Sequence, residues 1–534
     1  EAALAAPAEH PAVPVPDTMN AELRGANWYV EDRPVFLIGF NQFDTTHYPD
    51  LARFGGNFDT AAGGAAAYLM PDGPEVDPAR LREFSVERVK EAVRYGIRSN
   101  VHFGHRMPRW AEEKHPDITA AEGHFMFYDI SHPQARKLTC RTIEAVAEAL
   151  AGLPGITCYD LWNEAAFAGM SERGYAGFRD AMRQKYPSIE ALNEAWETDF
   201  VTFDDVRAFR LNPERPAAYS DWARWNNDRF TGYIAEMRAA VKRGDPQGLT
   251  TVKLSNEAQV VGSFNHAFRR QRASRHNMGV DRYALAQLLE IQGCDTRPTL
   301  LSPDYAFAWR YPGMAYDLQR SMAPDKPIDD SEWHAVQTVY HEDRDQPPEF
   351  LNASLWFSYL HGMDMNLTWW WSRNGTEPRA RWFEGSLLTQ PQLLDAWARN
   401  SIQVQRFAPQ ITAFQDRPAR VRLLFSKPSA ILDLTYLDTQ REAYERLNFC
   451  GVPLGFVTEE MLLAGFADLD LLVVPAARHA SDGVRAAVAA LAERGVTVVL
   501  IGDECLTLTP QGRPRPQPAP LRAPVLSGVP DTAA

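Results

Sequence analysis

The sequence predicts an α/β fold, a (β/α)8 TIM barrel with helical insertions plus a smaller C-terminal flavodoxin-like, doubly wound α/β domain. Three observations predict it. Short apolar runs alternate with amphipathic stretches of helical spacing, the pattern of parallel strands joined by crossover helices. Eight such runs fall before about Pro418, a length that such barrels reach when their loops carry inserted elements. The alternation then restarts on a smaller scale.

In chain order, Val35-Phe-Leu-Ile-Gly-Phe-Asn41 is the first strand and Asn57-Phe-Asp-Thr-Ala61 the second. Val86 to Tyr95 has helical spacing and stops at Gly96 before the third strand, Ile97 to Phe103. The run Gly155 to Leu161 is the fourth strand and ends in Trp162-Asn163-Glu164. Helices over Tyr175–Tyr186, Ile189–Trp196 and Trp222–Val241 follow as an insertion. Leu249 to Ser255 is the fifth strand, and the sixth falls in Gly293 to Pro298 or just beyond. Lys326 to Ser331 is the seventh and Met363 to Trp369 the eighth. In the smaller domain, Arg420–Phe425, Leu469–Pro475 and Val496–Ile501 read as strands, with helices over Thr439–Phe449 and Val484–Glu493. The expected divisions are a flexible Ala/Pro-rich segment 1–20, the barrel 21–417, the small domain 418–509 and a Pro-rich tail or linker 510–534.

Composition narrows the function classes. With 534 residues, 45% of them hydrophobic, the chain has material for a large core and a second domain. A formal net charge of −14 argues against nucleic acid or an acidic membrane surface as partner, because phosphate binding needs a basic footprint. No apolar stretch is long enough to span a bilayer. The five cysteines, Cys140, Cys158, Cys294, Cys450 and Cys505, are scattered, so neither a disulfide framework nor a thiolate metal site is expected. The small domain has no G-x-G-x-x-G or P-loop text to cradle a phosphate, so packing or oligomerisation is its expected role. No cofactor and no metal are expected, and the compartment stays open.

Barrels of this kind keep their chemistry where strands emerge into loops at the C-terminal face. Glu164 leaves the fourth strand there, and Glu332, in Asp330-Ser-Glu332-Trp333, leaves the seventh. Two carboxyl groups on separate strand ends are the equipment of a glycosidase. In a retaining enzyme one donates a proton to the leaving oxygen and the other attacks the anomeric carbon. Asn163 beside Glu164 can hydrogen-bond a sugar 2-hydroxyl. An isolated Asn-Glu is more often a helix start, but its place after a buried strand favours the functional reading.

A strand-ending Asn-Glu after the fourth strand with Glu closing the seventh resembles the clan A glycoside hydrolases, most of all glycoside hydrolase family 42. Met107-Pro-Arg-Trp110 with Lys114-His-Pro116 resembles that family's loop after the third strand. Lys185-Tyr-Pro-Ser-Ile-Glu-Ala-Leu-Asn193-Glu-Ala-Trp196 is similar to its insertion helices, and Trp369-Trp-Trp-Ser-Arg373 with Phe383-Glu-Gly385 to its eighth-strand exit. Residues 420–505 resemble its trimerisation domain. The resemblance implies Glu164 as acid/base, Glu332 as nucleophile, Asn163 as the 2-hydroxyl ligand and Tyr305 as an orienting group. Trp333 and the Trp369 to Trp371 run would floor the sugar site. It further implies a retaining, exo-acting β-galactosidase that assembles as a homo-oligomer, a trimer by resemblance or a dimer. The text around Glu332 departs from that family's usual wording, and the four-cysteine zinc cluster of some members is absent.

Asn41, His105 and Arg106, at the ends of the first and third strands, are further substrate-binding candidates, although a His there can equally satisfy a buried hydrogen bond. Glu257 after the fifth strand is another, with helix capping as its plainer role. The basic run His266 to His276 reads as a solvated face, or as an anion pocket for an acidic or sulfated sugar. The competing activities are another clan A hydrolysis, such as an agarase-like action on galactans, and carbohydrate binding by an inactive barrel.

Overall fold

A computed structural model describes residues 17–41, 44–119, 123–207, 215–255, 263–264, 272–273, 278–296, 309–334, 347–371, 387–433 and 435–515. The chain forms two compact units: residues 1–165, 233–257 and 286–417, and residues 166–232, 258–285 and 418–534. No helix among the described residues is long and apolar enough to cross a membrane.

The first unit is the barrel. Its strands are β1 (Leu37–Phe40), β2 (Phe58–Gly64), β3 (Arg98–Phe103), β4 (Ile156–Asp160), β5 in two halves (Thr250–Thr251 and Leu254–Ser255), β6 (Gln292–Asp295), β7 (Ile328–His334) and β8 (Met363–Trp369). All pair in parallel, in sequence order, and β8 pairs with β1. The first half of β5 pairs with β4 and the second half with β6, so one interrupted strand joins both edges and the sheet closes. The strands read as continuous apolar runs because helices cover the outside while the inside is filled. Strand β1 includes Gly39, where a Cβ would lie 1.6 Å from the Phe58 carbonyl oxygen of β2. Helix Glu87–Arg94 ends as expected, with Gly96 at φ +71°.

Strand β7 carries one extra residue. Its register against β8 steps from Asp330 opposite Asn366 to Trp333 opposite Thr368. Such a bulge re-aims side chains. Asp329 lies in the interior, bonded by Asn100 Nδ2 from β3 across the barrel at 3.0 Å, and Glu332 also faces inward. Asp330 and Trp333 face the surrounding helices, through Tyr316 at 2.5 Å and Ser358 at 3.3 Å.

A three-stranded antiparallel sheet, Glu22–Arg24, Asn27–Val30 and Arg33–Val35, precedes β1 and was not foreseen. The expected first strand is therefore split at Phe36. Trp28 and Val35 of this sheet are buried with Leu37, Phe58, Cys158, Met365 and Leu367, at the N-terminal end of the barrel. Arg98, at the start of β3, lies over the Trp28 ring at 5.2 Å and donates to the Thr18 and Met19 carbonyls.

In the second unit, helices Glu172–Lys185 and Ile189–Trp196 form where the sequence places them, each capped by a serine, Ser171 and Ser188. The Lys-Tyr-Pro…Leu-Asn-x-x-Trp text has a structural reason. Lys185, Tyr186 and Trp196 converge on the buried Asp221 carboxylate, and Asn193 bonds Thr198 and Phe200 to close the following turn. The small sheet contains β9 (Val421–Phe425), β10 (Leu454–Thr458), β11 (Leu471–Pro475) and β12 (Thr497–Ile501), all parallel, in the order β10-β9-β11-β12. That is the flavodoxin-like order. Strand β10 gives no clear signal in the sequence, because Gly451, Pro453 and Gly455 punctuate its start. All five cysteines are free.

Candidate active site

The fourth strand ends as expected. Trp162 is fully buried, Asn163 and Glu164 are half-buried, and Glu164 takes a left-handed backbone, φ +44°. The turn is held from the fifth strand: the Lys253 N–H donates to the Trp162 carbonyl, and the Ala165 N–H donates to the Lys253 carbonyl, both at 3.1 Å. Asp160 Oδ1 accepts from the Lys253 N–H at 3.2 Å, and Asp160 Oδ2 lies 2.9 Å from His102 Nδ1. Two strand ends are thereby fastened beneath Glu164.

Glu332 is 8% exposed. Lys253 Nζ, from two strands away, donates to its Oε2 at 2.5 Å, and His334 Nε2 lies 3.4 Å from its Oε1. Burial alone would raise the carboxyl pKa, but the Lys253 ammonium and then His334 outweigh it and hold Glu332 well below the usual carboxylate range. Lys253 stays charged, because Glu332 first and Asp160 next overcome the cost of burying the ammonium. An ionised carboxylate facing the interior is what a glycosidase nucleophile requires.

Asp295, Glu332 and His334 bring one ligand atom each within 4.8 Å of one another. The donor types suit a divalent cation, but the set does not fit one. Lys253 already supplies the positive charge at Glu332, and a metal ion beside that ammonium would be repelled.

The other candidates divide. Asn41 is buried, donating from Nδ2 to the Ser331 carbonyl at 2.6 Å and accepting from Thr60 Oγ1 at 2.6 Å. It positions the backbone before Glu332. His105 is also buried: Nε2 lies 2.8 Å from the Leu161 carbonyl, so that nitrogen carries the proton, and burial pushes its pKa down to about 3. It braces β4 as a neutral ring, the buried hydrogen bond that the sequence also allowed. Arg106 is exposed, stacked over Phe127 at 4.5 Å.

The tryptophans fall on two sides of the strands. Trp333 is fully buried in the layer between barrel and helices, since neighbours on a strand point to opposite faces. Trp371 is likewise fully buried, edge-on to Phe40 at 4.9 Å. Neither presents its ring to solvent in this structure. Trp369 and Trp370 are half-buried, and the Trp369 ring stacks on His334 at 5.9 Å. Tyr305, Glu257 and most of the basic run 266–276 lie outside the described residues. Lys253, His334 and Asp160 were missed. The available signal was a charged side chain inside a strand otherwise buried on both faces.

The family model of glycoside hydrolase family 42, described as beta-galactosidase, matches residues 104–382, which include both glutamates and Lys253. The chain belongs to glycoside hydrolase family 42. A beta-galactosidase of Arthrobacter sp is 25% identical over 433 residues, which are 74% of this chain and 57% of that protein. The chain thus spans little more than half the length of that relative. Among solved structures, the apo exo-carrageenase of family 42 from Bacteroides ovatus superposes with a TM-score of 0.81 at 25% identity, over 94% of this chain and 70% of that one. The beta-galactosidase from Bacillus circulans sp. alkalophilus, with a TM-score of 0.76 and 17% identity over 92% and 74%, shares the fold.

Proposed function

We propose that this family 42 chain is a retaining, exo-acting β-glycosidase that removes a terminal β-galactosyl residue. The observation that carries this reading is the interior Glu332 on β7, bonded to the Lys253 ammonium, whose backbone holds the strand-4 turn that presents Glu164. Glu332 attacks the anomeric carbon as Glu164 gives its proton to the departing glycosidic oxygen, so one C–O bond breaks and a glycosyl ester forms. Glu164, now a carboxylate, takes a proton from water. That water attacks the same carbon, Glu332 leaves as carboxylate, and configuration is retained overall. Asn163 binds the 2-hydroxyl, where the contact strengthens in the transition state. A homo-oligomer joined through residues 418–509 belongs to the same proposal.

A second reading concerns the substrate. The likeness to the Bacteroides ovatus exo-carrageenase covers 94% of the chain at a higher TM-score than the beta-galactosidase named above. This favours the end of a galactan chain over a small galactoside. Hydrolysis of a panel of nitrophenyl glycosides and of agar-, carrageenan- and galactan-derived oligosaccharides separates the two. Turnover of nitrophenyl β-galactoside supports the first reading, and activity on oligosaccharides alone supports the second. Binding of the oligosaccharides without turnover of any would make the barrel a carbohydrate-binding protein.

A further inference from the structure

The strands around Glu332 place charged groups on it from several sides. Lys253 reaches it from β5 and His334 from its own strand, while Asp295 on β6 lies 3.9 Å from His334. Asp160 on β4 acts on Lys253 from the other flank, and Asp329 lies deeper, toward Asp160. Within this group Lys253 is singular. One residue uses its side chain on the proposed nucleophile and its backbone on the turn of the proposed acid/base, with 5% of its surface exposed. Its strand is interrupted at that point, between the half that pairs with β4 and the half that pairs with β6. The interruption frees the Lys253 N–H and carbonyl to bracket residues 162–165.

We propose that Lys253 is a positioning residue of the reaction, fixing the Glu332 carboxylate in orientation and charge through its ammonium while its backbone fixes the Asn163–Glu164 turn. The proposal rests on the assignment of Glu332 and Glu164 made above. When Glu332 forms the glycosyl ester, its negative charge is lost and the ammonium faces Asp160 and Asp295 instead. A buried cation that stays compensated in both states favours Glu332 as leaving group in the second step, because the carboxylate that returns meets a charge already in place. A lysine with a merely structural role would support the strand without tuning the carboxylate.

The test uses the full chain and the Lys253→Met and Lys253→Arg variants. Turnover of nitrophenyl β-galactoside by wild type, and its loss in Glu332→Ala, tests the underlying assignment separately. In Lys253→Met the acid limb of the kcat/KM profile should move up by a pH unit or more, and Lys253→Arg should return most of that shift. A profile of unchanged shape, merely scaled down, would overturn the proposal. A readout free of substrate runs alongside: the Tm of wild type and Lys253→Met from pH 8 to 3.5. Without the ammonium, only His334 works against burial and the Glu332 pKa rises from its wild-type position, so the variant loses less stability than wild type as pH falls. The Tm gap between the two proteins should therefore narrow on acidification, and a constant gap would equally overturn the role assigned to Lys253.

Discussion

Replacing Glu332 by alanine should destabilise the barrel, although removal of an active-site carboxylate often relieves strain. The reason is Lys253. Lys253 is 5% exposed and its ammonium is bonded to Glu332 at 2.5 Å, so Glu332→Ala strands a buried cation. Breaking a buried pair by deleting one partner costs about 3–5 kcal/mol. Asp160 and Asp295 remain close enough to stabilise the ammonium in part, which places the expected loss near the lower end, at about 3 kcal/mol. Removing both charges, in Glu332→Ala/Lys253→Met, should recover most of it, since apolar replacement of a buried pair is close to neutral. Urea unfolding followed by tryptophan fluorescence, on wild type, both single variants and the double, gives the coupling directly. The pH dependence has a defined sign. A carboxyl held below its ordinary value of 4.5 contributes stability that is present above that pH and is lost as pH falls below it. A single variant as stable as wild type, or a double no better than Glu332→Ala, would refute the pairing argument.

Other outcomes follow from the same structure. Trp333→Ala should lower stability by about 3–5 kcal/mol with KM unchanged in the folded fraction, because the ring is buried against the outer helices; a raised KM with normal stability would return it to the sugar site. Trp370→Ala, at a half-buried indole beyond β8, should show the opposite pattern in steady-state kinetics. In the second unit, burial raises the pKa of Glu459 to about 7 while Ser426 Oγ donates to its Oε1 at 2.8 Å. Its contribution to stability is complete below the ordinary value of 4.5 and is lost as pH rises through about 7, so Glu459→Gln should flatten the fall in Tm between those values. An unchanged slope would show that the carboxyl does not titrate there.

The fold was readable because its strands are buried on both faces and so announce themselves as apolar runs. Met363–Trp369 is observed with the expected bounds. The weak sixth strand is only Gln292–Asp295, four residues with two polar side chains, and sequence could place it no better than approximately. The antiparallel sheet before β1 was missed because its strands are three or four residues long and give no period to read. At the site, Glu164 and Glu332 were visible as carboxylates at strand ends. Lys253 was visible too, as a lysine between Val252 and Leu254, but its partner depends on two strands coming together across the interior. Trp333, placed at the sugar site by the family resemblance, lies next to Glu332 in sequence but on the opposite face of the strand, because neighbours on a strand alternate. His334 should have been preferred, since the residue two places along shares the face of Glu332.

The roles of the two glutamates are decided by azide rescue of Glu332→Gly and Glu164→Ala on an activated β-galactoside, with the anomeric configuration of the product read by NMR. An inverted, α-configured galactosyl azide is expected from Glu332→Gly and a retained, β-configured one from Glu164→Ala. Wild-type activity in either variant without azide, or the two configurations exchanged, would contradict these roles.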